Sequence, residues 1–239
     1  MKLSLPNVTL VCISCKADLE LSSMAVNDCM EVAEFGDVIL FSDAAWKLPN
    51  TRYVECPPLT NVGAAATALW YALPAYIKTS HFLAVQWDSW IINPDLWTPR
   101  FAEYDYIGAP WSGGTVGNGG FSLRSTKLAK HVARNPDKYP GDSGGEVFAS
   151  PHVGYSEDWT LSVTHRAALE ADGFKWADAA LAAKFSYELV TPDDFRSSFG
   201  FHGAFNWPEI LSPEALTDRM VRVTRPEVRA VILSRRSSR

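Results

Sequence analysis

No apolar run in this 239-residue chain approaches the ~18–20 residues needed to cross a bilayer. The run near the N-terminus, Val8 to Ile13, is too short for a signal-peptide core, and Lys16 and Asp18 follow it where a small-residue cleavage site would stand. The expectation is a cytoplasmic protein. Cysteine is scarce, with four in all: Cys12, Cys15, Cys29 and Cys56. Cys12 and Cys15 form a C-x-x-C, but they lie in a strand pattern and no second pair follows. That argues against a disulfide framework or a zinc site and leaves free, buried or half-buried thiols. Internal repeats and low-complexity segments are absent. Positive charge is outweighed in the body of the chain. The net charge is -5, yet residues 219–239 hold seven Arg against one acid, Glu227, so that end carries +6 and residues 1–218 carry -11. An acidic body argues against nucleic acid as a partner, because phosphate binding needs a basic surface.

What is present is ordinary for a globular protein, 47% hydrophobic and 21% charged, with enough chain for a sizeable core. Asn7–Ser14 is β-branched and apolar and reads as a buried strand. A helix capped by Asp18 follows over Leu19–Ala33, then a second strand over Asp37–Ser42 ending at Asp43, and a short third over Tyr53–Cys56. Asn61–Ile77 reads as a helix that Pro74 kinks or ends, and His81–Trp87 as the fourth strand. Two short strands (Asp105–Ala109, Gly120–Leu123), a helix over Thr126–Arg134, and a helix from Ser156 to about Ala171 stopped by Gly173 complete the pattern. Phe185–Val190 reads as an edge strand. This alternation predicts an α/β fold with a mostly parallel sheet flanked by helices.

Several residues carry chemistry. Asp88 closes an apolar strand, where a carboxylate is costly unless it is hydrogen-bonded, metal-bound or at the open end of the sheet. With Gln86 on the same strand face it could hold a divalent cation through oxygen ligands, or it could simply make a turn. Gly117-Asn118-Gly119-Gly120-Phe121-Ser122 lets backbone approach a ligand, or forms a plain turn. It lacks the last glycine and the following helix of a dinucleotide fingerprint. Glu157-Asp158 is either an acid pair for proton transfer or a helix cap. His202, in F-G-F-H-G, is a lone histidine able to ligate a cation or meet a phosphate. Gly141-Asp142-Ser143-Gly144-Gly145 matches the nucleophile segment of trypsin-like proteases, but the strand–helix alternation is wrong for that fold; it reads as a loop, a lid over the acceptor being the functional alternative. The arginine-rich tail reads as a solvated end, with anionic lipid as the alternative partner.

The acidic residue after the fourth strand resembles the D-x-D site of GT-A-fold glycosyltransferases. Q-W-D-S-W, Y-D-Y-I-G-A-P-W, G-N-G-G-F-S-L-R-S and F-G-F-H-G, taken in order, resemble a largely uncharacterised family of microbial glycosyltransferase-like proteins. The resemblance implies a GT-A-like (Rossmann-like) domain over residues 1–205 with a basic extension over 206–239, and transfer of a sugar, with inversion, from a nucleotide-sugar donor to a hydroxyl on a glycan or lipid-linked acceptor. It implies Asp158 as base and Glu157 as the group orienting the acceptor. Asp88 and His202 become ligands of Mn²⁺ or Mg²⁺, a dependence put in question by Gln86 standing at the first acid of D-x-D. Gln86, Asp88, Gly119 and Gly120 become donor contacts. Topology adds Ser14, Lys16 and Asp43 at the ends of the first two strands, and Asn61 at a helix start near the phosphates. The rivals are a non-catalytic carbohydrate- or nucleotide-sugar-binding protein, and a nucleotidyltransferase. C-I-S-C-K-A-D lacks the glycine- and basic-rich loop of the latter.

Overall fold

A computed structural model of the chain describes residues 1–141, 156–188 and 194–237. The apolar stretch read as the first strand forms β1 (Leu3–Ser14), with Leu10, Val11 and Cys12 at most 1% exposed. β1 pairs in parallel with β2 (Ala33–Ser42) on one side and β4 (His81–Val85) on the other, and β2 carries the parallel β3 (Arg52–Glu55). β7 (Phe121–Ser125) runs antiparallel to both β4 and β6 (Tyr106–Gly108), which gives the order β3-β2-β1-β4-β7-β6. The reversal of β7 matters for position. Val85, the last residue of β4, pairs with Phe121, the first of β7. The chain leaving β4 and the chain entering β7 therefore meet at one edge of the sheet, beside the ends of β1 and β2.

A second sheet, not anticipated from sequence, extends that edge. β5 (Ser89–Ile91), β9 (Gly200–His202) and β8 (Ser186–Tyr187) pair in the order β5-β9-β8, with Ser89 opposite His202. The residue next to Asp88 thus lies across from a histidine more than a hundred positions later.

Helix α1 (Leu19–Val32) buries Leu19, Leu21, Ala25, Val26 and Cys29 against the sheet; each large apolar side chain so covered contributes roughly 1.5–3 kcal/mol. Asp18 precedes it without capping it through its side chain. Helix α2 (Val62–Thr67), capped by Asn61, widens into a π turn over Ala68–Ala72 and tightens over Leu73–Ala75. Pro74 lacks the N–H to continue the ladder, and the helix changes pitch around it. Helix α3 (Thr126–Arg134) starts at Ser125, whose side chain accepts from Leu128 N–H. The helix expected over Ser156–Ala171 is divided into α4 (Glu157–Trp159), a π turn over Thr160–Thr164, and α5 (Arg166–Ala171). Threonine there competes for backbone: Thr160 Oγ1 donates to Ser156 O at 2.7 Å. Helix α6 (Ala179–Phe185) leads into β8.

The chain after residue 205 forms α7 (Trp207–Ile210), α8 (Pro213–Arg222) and α9 (Pro226–Ser237). It packs as a layer on the body: Leu216, Val223 and Ile232 share one hydrophobic cluster with Leu10 and Leu21. Arg219, Arg225 and Arg235 meet acids or aromatic rings. Arg219 pairs with Asp28 and lies 4.1 Å above the Trp90 ring. Arg225 lies 2.9 Å from Asp18 and 4.9 Å above Trp87, and Arg235 lies 5.3 Å above Phe205. The positive tail thus answers the negative charge at and around α1, rather than standing free in solvent as the sequence suggested. The four cysteines are free, with Cys12, Cys29 and Cys56 buried; burial pushes the Cys12 thiol up to about 12. The Asp142–Gly145 part of the protease-like run, the end of the expected edge strand (Leu189 and Val190) and Arg239 lie outside the described residues.

One polar clamp ties α3 to the end of α5. Asp172 Oδ2 accepts from Lys138 Nζ at 2.6 Å and Tyr139 Oη at 2.5 Å, and lies 2.9 Å from His131 Nε2. The hydrogen bond from Lys138, then that from Tyr139, hold the carboxyl well below the usual range. A depressed carboxylate contributes stability above its unfolded pKa, about 3.9, which fades as pH falls below that value. Asp172→Asn is expected to flatten the acid limb of a urea-midpoint-versus-pH curve; an unchanged limb would remove the clamp.

Candidate functional site

Strand β4 stops at Val85, so Gln86 and Asp88 lie in a tight turn rather than on the strand. Ser89 fixes that turn, accepting from Gln86 N–H at 2.8 Å and donating to Gly120 O at 2.6 Å. The serine thereby ties the β4 exit to the glycine segment. Asp88 is 8% exposed. Its Oδ2 accepts from Ala204 N–H at 3.1 Å, whereas Oδ1 is buried with no hydrogen-bond partner among the described residues and faces His202 Nε2 at 3.7 Å. On the far side of the ring, His202 Nδ1 lies 2.9 Å from Glu188 Oε1, which also accepts from Asn118 Nδ2 at 2.9 Å. Asn118 Oδ1 in turn accepts from Gly120 N–H at 3.1 Å. Burial pulls the His202 imidazole down, but Asp88 and the hydrogen bond with Glu188 outweigh it and push it up to about 9.

One residue earlier the same glycine segment holds the acid pair. Gly119 N–H donates to Asp158 Oδ2 at 2.9 Å. Asp158 Oδ1 accepts from Trp159 N–H at 2.8 Å and from the Ser156 hydroxyl. Glu157 is bound at both oxygens: Oε1 pairs with Arg124, and Oε2 accepts from Asp158 N–H at 2.6 Å. Arg124, 3% exposed, also donates to Ser122 Oγ at 2.9 Å and Gly119 O at 3.3 Å, and lies 5.0 Å above the Tyr106 ring. Burial raises the Glu157 carboxyl, partly offset by Arg124.

The glycines are a spatial requirement here. A Cβ on Gly120 would fall inside the His202 ring, and one on Gly119 would crowd Glu157, Arg124 and Asp158. Two consecutive residues thus separate an Asp–His pair from a Glu–Asp pair, and both pairs stand at the sheet edge where β4 ends and β7 begins. Gly120→Ala is expected to push His202 away from Asp88. A 1H–15N spectrum of the imidazole would show the Glu188-bonded nitrogen resonance lost, and an unshifted resonance would contradict the contact.

The residues assigned to the nucleotide by topology form a separate group. Asp43 is spent on loop closure, accepting from Lys16 N–H at 2.9 Å and Leu59 N–H at 2.8 Å. Ser14 is buried and accepts from the Ser22 hydroxyl at 2.7 Å. Asn61 caps α2, accepting from Ala64 N–H at 2.9 Å. Ser14, Lys16 and Asp43 therefore cluster at the ends of β1 and β2, and the side-chain oxygen of Asn61 is taken by its own helix. Sequence reasoning missed Glu188, Arg124, Asn118 and Ser89. The one signal for Arg124 was a charge inside an otherwise buried strand; Glu188, fourteen positions before His202, offered none.

A divalent cation is the cofactor that a GT-A fold suggests. Asp88 Oδ1 and His202 Nε2, 3.7 Å apart, can both lie about 2.1 Å from one ion. Glu188 on Nδ1 is the usual second partner of a metal-bound histidine. Among the described residues no group of three or more His, Cys, Asp or Glu is placed to hold a metal. The described residues thus offer such an ion two ligands.

Comparison with known proteins gives a family and a fold. The family described as "Protein of unknown function (DUF5672)" matches residues 61–202. No curated protein matches the chain. Among solved structures, galactosyltransferase LgtC in complex with donor and acceptor sugar analogues is similar over 93% of this chain and 99% of its own, with 14% identity and a TM-score of 0.51. Glycosyltransferase GlyE of Streptococcus pneumoniae TIGR4 is similar over 97% of this chain and 64% of its own, at 9% identity and a TM-score of 0.46. The bifunctional IspDF of Campylobacter jejuni has a TM-score of 0.39 at 12% identity, covering 53% of this chain; the chain spans 43% of that protein's length. The sheet order and the LgtC likeness establish a GT-A-like α/β fold.

Proposed function

This chain belongs to the DUF5672 family, and we propose that it is a glycosyltransferase, moving a sugar from a nucleotide-sugar donor to a hydroxyl on a glycan or lipid-linked acceptor with inversion at the anomeric carbon. The observation that carries the proposal is the placement of Asp88–His202 and Glu157–Asp158 against adjacent glycines. One pair is suited to a diphosphate and the other to an attacking alcohol.

In this reading the acceptor oxygen attacks the anomeric carbon, the bond from that carbon to the diphosphate oxygen breaks, and the acceptor proton passes to Asp158. A carboxylate offers about four lone-pair sites. Among the described residues, Gly119, Trp159 and Ser156 occupy three of those of Asp158. They fix its orientation and leave one site for the acceptor hydroxyl. Glu157 has both oxygens engaged within the protein, so it positions Asp158 instead of the acceptor. Asp88 and His202 would hold a divalent cation, which when bound neutralises charge on the leaving diphosphate. Glu188 sets the ring orientation of His202. Ser14, Lys16 and the Asp43-closed loops would border the nucleoside.

Thermal unfolding in the presence of UDP, GDP, CDP or ADP, with and without Mn²⁺, tests the reading. One nucleotide is expected to stabilise the fold by about 2.7 kcal/mol at ~100 times its Kd, with a further increment from Mn²⁺ that Asp88→Ala abolishes. Failure of every nucleoside diphosphate to raise the midpoint, with free glycans binding instead, would assign the protein to non-catalytic carbohydrate binding. A Mn²⁺ increment that survives Asp88→Ala would take the cation away from Asp88.

A further inference from the structure

Arg225 brings a guanidinium from the C-terminal layer to the sheet edge of the candidate site. Cys12 of β1 pairs with Val85 of β4, so the loop leaving β1 and the turn leaving β4 are neighbours. Arg225 touches both. Its Nη2 lies 2.9 Å from Oδ1 of Asp18, beyond β1, and its guanidinium carbon lies 4.9 Å from the centroid of the Trp87 ring, next to Asp88. Burial raises the Asp88 carboxyl, and the charge of Arg225 is among those, after His202, that lower it.

The short segment between α8 and α9 that presents this side chain is itself fixed. Val223 is buried in the core and its carbonyl accepts from Arg229 Nε at 2.7 Å, while Arg225 O accepts from Arg229 N–H at 3.2 Å. Pro226 follows and disfavours helical backbone at Arg225. The needs of the fold do not account for the charge. A cation at the N-terminal end of α9 meets the positive end of that helix, where an acid such as Glu227 is the favoured choice. The side chains of Arg225 and Asp18 are 42% and 14% exposed, and an ion pair with one partner so open to water contributes little to stability.

Charge indicates what the guanidinium serves. Asp18, Asp43 and Asp88 stand at this edge, and an anion entering among them needs positive partners besides a cation at Asp88. A planar guanidinium offers a fork of N–H donors that matches a phosphate, and that fork also fits a carboxylate. A ligand running from the Ser14–Lys16 loop to Asp88 and His202 would pass Arg225, and its phosphate farther from the nucleoside would lie on the Trp87 side. We propose that Arg225 reads that distal phosphate. In the unliganded protein Asp18 stands in for the anion; on binding, the phosphate displaces the carboxylate from the fork. Arg225 thereby distinguishes a nucleoside diphosphate from a monophosphate. The proposal rests on the reading of this edge as the donor site.

The test uses the full chain and titration calorimetry in the presence of Mn²⁺. The probes are the nucleoside diphosphate selected by thermal unfolding, its monophosphate, and inorganic pyrophosphate. Arg225→Met is expected to weaken the diphosphate about tenfold, the ratio that ~1.4 kcal/mol produces, and to leave the monophosphate nearly as in the wild type. Arg225→Lys, which keeps the charge and loses the fork, should fall between. Asp18→Asn should act in the opposite direction and tighten the diphosphate, because it removes the competing carboxylate. An ion pair that only holds the fold would give both variants the same sign. The proposal is overturned if Arg225→Met binds the diphosphate as wild type does, if mono- and diphosphate weaken equally, or if Asp18→Asn weakens binding as Arg225→Met does. Failures of the two readings separate. Arg225-dependent binding of pyrophosphate without any nucleotide binding removes the transferase and keeps the phosphate seat, while nucleotide binding indifferent to Arg225 does the reverse; a wild-type protein that binds none of the probes removes both. A wild-type circular dichroism spectrum and unliganded midpoint for Arg225→Lys and Asp18→Asn keep misfolding out of the comparison.

Discussion

Asp158→Asn is expected to lower turnover by about 10²–10⁴-fold, the range a positioned general base contributes, while nucleoside diphosphate still binds. The substitution keeps the shape of the side chain and removes its capacity to take a proton. It also has a local cost. Asp158 accepts from Gly119 N–H on one oxygen and from Trp159 N–H on the other, and an amide can serve only one of these with its oxygen. One backbone donor then loses its partner, for about 1–3 kcal/mol if it stays buried. That loss is felt at the glycine segment and leaves Asp88 and His202 in place. Release of nucleoside diphosphate measures turnover, and the midpoint shift with the same nucleotide measures binding. Turnover within a few-fold of wild type would remove Asp158 as base. Loss of nucleotide binding would show the residue to be part of the donor site instead.

The parallel half of the sheet was legible because its strands are continuous apolar runs bounded by Asp, Pro and Ser, and a strand buried on both faces needs no other signal. Asp88 was legible for a related reason: a carboxylate closing such a run has to be explained. The second sheet was not. β5 and β9 are three residues each, too short to show a period, and they are held by aromatic packing such as Trp90 on Phe201, with ring centroids 4.5 Å apart. The sequence names those rings without saying which meet. Asn61 and Asp43 show what topology leaves out. Both are polar residues at the right edge of the sheet, and each has its side-chain oxygens occupied by nearby backbone N–H groups. Topology could place them there without telling that they serve the loops. The basic tail misled through counting, because net charge does not reveal that Asp18 and Asp28 lie beneath Arg225 and Arg219.

Arg124→Leu tests whether the buried pair beneath Asp158 is only structural. Arg124 and Glu157 have side chains 4% and 14% exposed. Removing the guanidinium leaves a carboxylate with little access to water, a change that typically costs about 3–5 kcal/mol. For a chain of this size that corresponds to a fall in Tm on the order of 10 °C. Such a loss alone would be expected of any buried ion pair. The informative variant is Arg124→Leu/Glu157→Leu, which removes both charges. The space around the pair is lined by Leu69, Phe82, Leu128, Val132 and Leu161, so two leucines meet an apolar wall, and most of the lost stability should return. Activity should not return with it. Glu157 Oε2 no longer accepts from Asp158 N–H, and Gly119 O loses the Arg124 donor, so the carboxylate and the glycine that aligns it are released together. A double variant with near-wild-type Tm and a turnover still lowered tenfold or more, with unchanged nucleotide binding, would identify Arg124 and Glu157 as positioning residues. A double variant as active as wild type would show that the pair holds the fold and nothing else, and that Gly119, Ser156 and Trp159 suffice to orient Asp158.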